Sequence, residues 1–244
     1  MTRTATLPSA SQSQPDWSSI TAIYGGTFDP PHLGHVEVAR GLKRLPGVKR
    51  TVILPTGHSP WKSTQLPAES RRELIQLAFQ KEAELDWTDW SLSYSQNRAI
   101  RAWESIPLLT EKWGPVAWVI GSDQIASLSK WERFPEILAL CHWIWVERKS
   151  EGDADNVAAS TELQAFESSG FLSKISEHLW AIKNSPFYFT KTRTEAPGVS
   201  STEIRRSIAV TGVAPAAALP FKVEEKIRTS GHYGHKLPSK EKIK

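Results

Sequence analysis

Residues 20–35 read Ile20-Thr21-Ala22-Ile23-Tyr24-Gly25-Gly26-Thr27-Phe28-Asp29-Pro30-Pro31-His32-Leu33-Gly34-His35, and their order decides the fold. The β-prone run Ile20 to Tyr24 stops at two glycines, as a strand running into a turn does. Asp29 then places a side-chain acceptor ahead of two prolines, residues that a helix tolerates at its opening. This predicts a helix from there to about Leu45, ended by Pro46-Gly47. Paired glycines let an anion approach the main chain with no Cβ in the way, and a helix start offers it free N–H groups. If Asp29 caps the helix, His32 falls in its first turn and His35 three residues later, so both imidazoles share one face. Gly34 between them removes bulk where a flat base or a ribose could lie. An H-x-x-H pair can also bind a transition metal, but no third ligand lies close in sequence, and no protein-held metal is expected.

The same alternation continues outward. Thr51 to Pro55 reads as a second strand, followed by an irregular loop from Thr56 to Leu66. Leu74, Leu77, Ala78 and Phe79 repeat at helical spacing within 67–85, and a further helix is expected over 95–106. Pro115 to Ile120 is an apolar run that suits a strand buried on both faces, His142 to Val146 suits another, and a helix is expected between them at about 132–140. Residues 150–173 are polar and acidic and read as an insertion or mobile loop. Phe187 to Thr190 suits a last strand, and a helical region follows from Val199. This pattern predicts an α/β fold, a Rossmann-like doubly wound parallel sheet with a small C-terminal helical region. In such folds ligands sit beyond the carboxyl ends of the strands, at the switch point.

Composition bounds the rest. A chain of 244 residues suits one domain with elaborations, here residues 19–233, between a leader over 1–18 and a basic tail over 234–244. The leader is rich in Ser, Thr, Gln and Pro and lacks an apolar stretch, so it does not read as a signal peptide; its lack of acids before Asp16 leaves a transit-peptide reading open. The net charge of +4 is small, and its excess gathers from Lys226 onward, which suits a solvated tail better than a nucleic-acid groove. One cysteine, Cys141, excludes an intramolecular disulfide and a cysteine metal cluster. No run is apolar enough to span a membrane. A cytoplasmic enzyme is expected, with homo-oligomerisation left open. The eleven tryptophans are expected mostly in the core.

A second string, Val199-Ser200-Ser201-Thr202-Glu203-Ile204-Arg205-Arg206, carries a capping box, Ser200 with Glu203 three residues on. The box would leave the amides of Ser201 and Thr202 free for phosphate oxygens, with Arg205 one turn along adding a planar charged fork. Between the two strings, Val119-Ile120-Gly121-Ser122-Asp123 puts a carboxylate at a strand end, where acids accept hydrogen bonds from ribose hydroxyls.

Together these strings resemble the nucleotidyltransferase superfamily, whose T/H-x-G-H motif aligns with His32-Leu33-Gly34-His35. More narrowly the chain is similar to the nicotinate-nucleotide adenylyltransferase family. Val199 to Arg205 resembles its I-S-S-T-x-I-R motif, and Gly121, Asp123, Lys130 and Trp131 resemble its G-x-D followed by K-W. Pro55 to Lys62 resembles its loop P-x-x-x-P-P-H-K, with Trp61 where the family has histidine. Ser93-Tyr94-Ser95-Gln96-Asn97 resembles S-Y-T-x-D, with an amide replacing the acid. The resemblance runs from about Ile20 to Tyr233.

It implies transfer of the adenylyl group of ATP, brought with Mg²⁺, to nicotinic acid mononucleotide, or to nicotinamide mononucleotide as the close rival. Phosphopantetheine or FMN as acceptor, and a nucleotide sensor without turnover, are the other readings. The implied catalytic residues are His32, His35, Lys62 and Arg205. ATP would meet Gly25, Gly26, Thr27, Phe28, His35, Ser200, Ser201, Thr202 and Arg205. The pyridine mononucleotide would meet Ser93, Tyr94, Ser95, Gly121, Asp123 and Trp131.

Overall fold

Apolar residues alternate in register along the central strands, and each parity feeds a different layer of helices. The computed structural model describes residues 17–45, 48–58, 64–148 and 154–235. Strand β1 (Thr21–Gly26) leads to helix α1 (Leu33–Arg44), β2 (Arg50–Pro55) to α2 (Ala68–Phe79), and a two-residue β3 (Glu84–Leu85) to α3 (Thr88–Gln96) and α4 (Ala102–Trp113). Then come β4 (Val116–Gly121), a single-turn α5 (Ser122–Ile125), β5 (His142–Arg148), α6 (Ala154–Ser168), β6 (Leu172–Ser176), β7 (Leu179–Ile182), β8 (Tyr188–Thr194), α7 (Ser201–Thr211) and α8 (Phe221–Ser230).

The strands form one sheet in the order β3-β2-β1-β4-β5-β8-β7-β6. All neighbours from β3 to β8 run parallel, and β6 and β7 add an antiparallel edge. The chain winds outward through β1, β2 and β3, then returns to lay β4 on the other side of β1. The switch point therefore lies between β1 and β4, as the alternation predicts. Trp118 and Ile120 of β4, with Trp143 and Trp145 of β5, pack on α4, α5 and α6. Ala117, Val119, Ile144 and Val146 pack on Val38 and Leu42 of α1 on the opposite face. Each side chain of this size contributes about 1.5–3 kcal/mol when fully buried. A third cluster joins α1, α2, α7 and α8, and so carries the C-terminal helices onto the β1–β2 side.

Four expectations about elements need correction. The helix expected over 95–106 is two helices, α3 and α4, because Asn97 turns left-handed (φ 47°) and ends the first. The helix expected at 132–140 is a turn followed by a 3₁₀ segment, Glu136–Leu140; Arg133 is left-handed (φ 64°) and Pro135 has no N–H to continue a ladder. The stretch read as an insertion or mobile loop contains α6, whose Ala159, Leu163 and Phe166 are buried against the sheet, so the loop alternative does not hold. Three apolar residues at helical spacing suffice there, although the rest of the segment is polar. The sheet is also not wholly parallel, since the hairpin β6–β7 reverses at its edge.

Candidate active site

The turn between β1 and α1 is shaped by its own side chains. Phe28 adopts a left-handed backbone (φ 50°), which a non-glycine residue holds only when its surroundings over-determine it. Here its ring is buried against Tyr24, His35 and Phe79. A Cβ on Gly26 would stand 2.7 Å from that ring, so Gly26 is required by Phe28 itself. Gly25 has nothing nearer than 3.8 Å, so its missing side chain is not demanded by the protein's own packing. Gly34 is needed for a reason other than room for a base: a Cβ there would meet the His32 ring at 2.9 Å and the carbonyl of Pro197 at 3.1 Å.

Asp29 is not the helix cap. His32 is, with extended backbone, and His35 stands at the third helical position. The backbone N–H of His32 donates to His35 Nδ1 at 3.2 Å. A ring nitrogen that accepts has no proton, so in the neutral imidazole the proton sits on Nε2. The two rings stack at 3.6 Å, and the edge contact with Phe28 at 5.0 Å holds His35 from another side. His35 is thus an oriented Nε2–H donor, half-buried, at the end of β1.

Asp29 is instead a buried hub, 3% exposed. Its carboxylate accepts from the Gln65 amide at 2.8 Å and from the Tyr233 hydroxyl at 2.6 Å. Burial and the adjacent carboxylate push the Tyr233 phenol well above its ordinary value, so it stays a donor. The Asp29 carbonyl accepts from Arg205 Nη1 at 2.6 Å, and the Pro30 carbonyl from Ser201 Oγ at 2.9 Å.

These bonds bring the two sequence strings together. The predicted capping box is present at α7: Glu203 accepts from the Ser200 amide at 2.9 Å, and Ser200 Oγ accepts from the Glu203 amide at 3.2 Å. Arg205 Nη2 also lies 3.3 Å from Thr202 Oγ1. The starts of α1 and α7 therefore converge, although 165 or more residues of chain separate them. Two positive helix ends, an oriented imidazole and a guanidinium suit a polyanion.

Gly121 and Asp123 lie across the switch point, with Gly121 capping α5 and Asp123 exposed in its first turn. Trp131 is half-buried, edge-on to Trp143 at 6.2 Å. On the β2 side, Ser93 of α3 is buried and already engaged: its Oγ accepts from the His58 amide at 2.6 Å and lies 2.7 Å from His58 Nδ1. Tyr94 is 43% exposed, with its ring 4.8 Å from that of His58. Ser95 is exposed and turns its hydroxyl back to Leu92 O. Of the residues expected to meet the acceptor, Tyr94 is presented to solvent and Ser93 supports His58. Lys62 falls outside the described residues.

Sequence reasoning missed His58, Asp29 as a hub, Tyr233, and Arg71 of α2, which is fully buried. A histidine after a strand end, and a tyrosine at the foot of the C-terminal helices, were the available signals. Arg71 gave none, since charge inside an amphipathic helix reads as solvent-facing.

The chain matches the family described as cytidylyltransferase-like over residues 23–207. A protein of Sulfurimonas denitrificans named "Probable nicotinate-nucleotide adenylyltransferase" is 30% identical over 128 residues, 52% of this chain and 69% of its own length. One of the same name from Hydrogenobaculum sp. is 28% identical over 219 residues, 87% of this chain and 97% of its own. Among solved structures, Plasmodium falciparum nicotinic acid mononucleotide adenylyltransferase complexed with NaAD aligns with a TM-score of 0.65 over 90% of this chain and 100% of that one, at 14% identity, a likeness of fold. With both motif-bearing helix starts inside the matched span, the chain belongs to the cytidylyltransferase-like family and, within it, to the nicotinate-nucleotide adenylyltransferases.

Proposed function

We propose that this protein transfers the adenylyl group of ATP to nicotinic acid mononucleotide, giving deamido-NAD and pyrophosphate. The observation that carries the reading is the convergence of the α1 and α7 starts at the carboxyl end of β1, tied through Asp29 and Pro30. The relatives' shared name supports the acceptor, as does the NaAD bound to the structurally similar Plasmodium protein.

In this reading the acceptor's phosphate oxygen attacks the α-phosphorus in line and pyrophosphate departs. The protein's task is to align two polyanions, and such positioning lowers barriers by about 7–11 kcal/mol in favourable systems. The Nε2–H of His35 donates to a phosphate oxygen as charge develops, with the buried ring of His32 stacked behind it. The Ser201 and Thr202 amides, at the open end of α7, receive the outer phosphates. Arg205 keeps one Nη donor on Asp29 and has others for the same phosphates. Gly25, whose missing side chain the protein's own packing does not demand, lets the chain of phosphates pass close to the main chain, and the family resemblance assigns Lys62 a supporting charge.

Tyr94, Ser95, Gly121, Asp123 and Trp131 serve the acceptor, with Ser93 acting through His58. Magnesium would enter with the substrate as MgATP, because it keeps most of its waters and takes substrate phosphates as ligands.

The test is to incubate the protein with MgATP and, in parallel, nicotinic acid mononucleotide, nicotinamide mononucleotide, phosphopantetheine or FMN, following dinucleotide and pyrophosphate. The expected result is deamido-NAD formed with the highest kcat/KM. Pyrophosphate release with none of them would remove the transferase reading, and preference for the amide would move the acceptor.

A further inference from the structure

Arg71 is the charged side chain of α2 that the fold places wholly inside, with no exposed surface. A guanidinium taken out of water costs several kcal/mol unless most of its N–H groups are met, and here the two Nη groups are met while Nε is not. Nη1 donates to the carbonyls of Thr27 at 3.1 Å and Thr56 at 2.7 Å, and Nη2 donates to that of Gly57 at 2.5 Å. The Trp90 ring lies 4.4 Å from the guanidinium carbon and fixes its plane. The three carbonyls belong to two different loops: Thr27 follows β1, and Thr56 and Gly57 follow β2. One cation therefore fastens the turn after β1 to the first residues after β2.

Peptide geometry gives this clamp a direction. A peptide unit is planar and trans, so a carbonyl drawn to one side sends the next residue's N–H to the other. The Gly57 carbonyl faces Arg71, and the following N–H, that of His58, reaches away to Ser93 Oγ at 2.6 Å. By the same rule the Thr27 carbonyl on Arg71 turns the Phe28 amide away from the cation, at the point where the glycine turn meets α1.

We propose that Arg71 is a positioning residue: by holding the Thr27 carbonyl it aims the Phe28 amide at the phosphate chain of ATP, and by holding Thr56 and Gly57 it keeps the β2 loop in register with that turn. The inference rests on the reading of this end of the sheet as an ATP site. Arg71 touches no substrate itself and acts through the backbone it orients, while its guanidinium also interacts with the side chain of Tyr94. A lysine there offers one point charge in place of a planar fork and cannot meet three carbonyls in the same geometry.

The test compares ATP with adenosine, which has no phosphates, as ligands of the wild type, R71K, R71Q and W90F. Thermal melting first establishes that each variant is folded at the assay temperature. The expected result is a rise of about tenfold or more in the Kd and KM for ATP in R71K and R71Q, with adenosine affinity within about twofold of wild type. W90F retains the charge and loosens its plane, so the same pattern is expected at smaller amplitude, and it decides the matter if both Arg71 variants are unfolded. ATP affinity unchanged in a folded variant, or adenosine weakened as much as ATP, overturns the proposal. Absence of pyrophosphate release by the wild type instead sinks the transferase reading, and the ATP–adenosine comparison still judges Arg71.

Discussion

Replacing Asp89 by asparagine should stabilise the protein, and by more at high pH than at low. Asp89 stands on α3, 3% exposed, and accepts a hydrogen bond from Ser105 Oγ of α4 at 2.7 Å. Burial pushes its carboxyl up to about 7 from an ordinary 3.8, and the nearby Asp86 and Glu104 add to the rise, while the Ser105 bond opposes it. Asp86 does not relieve the repulsion, because Lys112, Thr88 and Trp113 hold it ionised. The folded state therefore binds the Asp89 proton more tightly than the unfolded chain does, so stability falls as pH rises from about 4 and levels off above about 7.

Three pH units at about 1.36 kcal/mol each set the full penalty near 4 kcal/mol, of which roughly 2–3 kcal/mol develops between pH 5 and pH 8. Asp89→Asn keeps an oxygen for Ser105 and cannot ionise. The assay is urea unfolding of both proteins at pH 5 and pH 8, other titrating groups being common to the pair. The stability difference should widen by about 2–3 kcal/mol at the higher pH. Parallel behaviour at the two pH values would refute the reasoning, since it would mean that the carboxyl never pays for its burial.

The two adjacent glycines should separate structure from binding: Gly26→Ala drives a methyl into the Phe28 ring and should lower the melting temperature, whereas Gly25→Ala has room and should leave it unchanged while raising the KM for ATP. Equal melting losses in both would contradict this division. His35→Ala should reduce kcat by at least about 10²-fold, measured by pyrophosphate release at a temperature where the variant is folded; turnover at the wild-type rate would take the imidazole out of the mechanism. Tyr233→Phe leaves one oxygen of a buried carboxylate without its donor and should cost about 1–3 kcal/mol in urea unfolding, a loss that Tyr233→Phe combined with Asp29→Asn should partly restore.

How much was legible in the sequence follows how local each cause was. The turn before α1 and the box at Ser200 are written in a few consecutive residues, so the strand, a helix after the turn and the start of α7 could be read directly, although α1 starts three residues later than its sequence suggests. The residue roles inside the turn could not. Asp29 looks like a cap by its neighbours, yet its partners are Gln65 and Tyr233, which adjacency in the chain does not announce. Arg71 answers to carbonyls from two loops, and backbone acceptors leave no trace in residue identity. The break at Asn97 was missed because one left-handed residue ended a helix within a stretch of otherwise permissive polar residues. The segment holding α6 misled by its overall polarity, although its inward face is apolar.

The pairing of Tyr233 with Asp29 spans 204 positions of sequence, and it has a consequence for the order in which the molecule matures. During synthesis the glycine turn and α1 leave the ribosome early, but the carboxylate at their junction has to wait for almost the whole of the described chain before its phenol arrives. A nascent or prematurely terminated product lacking residue 233 would carry every residue of both motifs and still hold a carboxylate one hydrogen-bond donor short at the turn before α1. Packing at that junction would therefore be completed last, with the closing segment of the described chain.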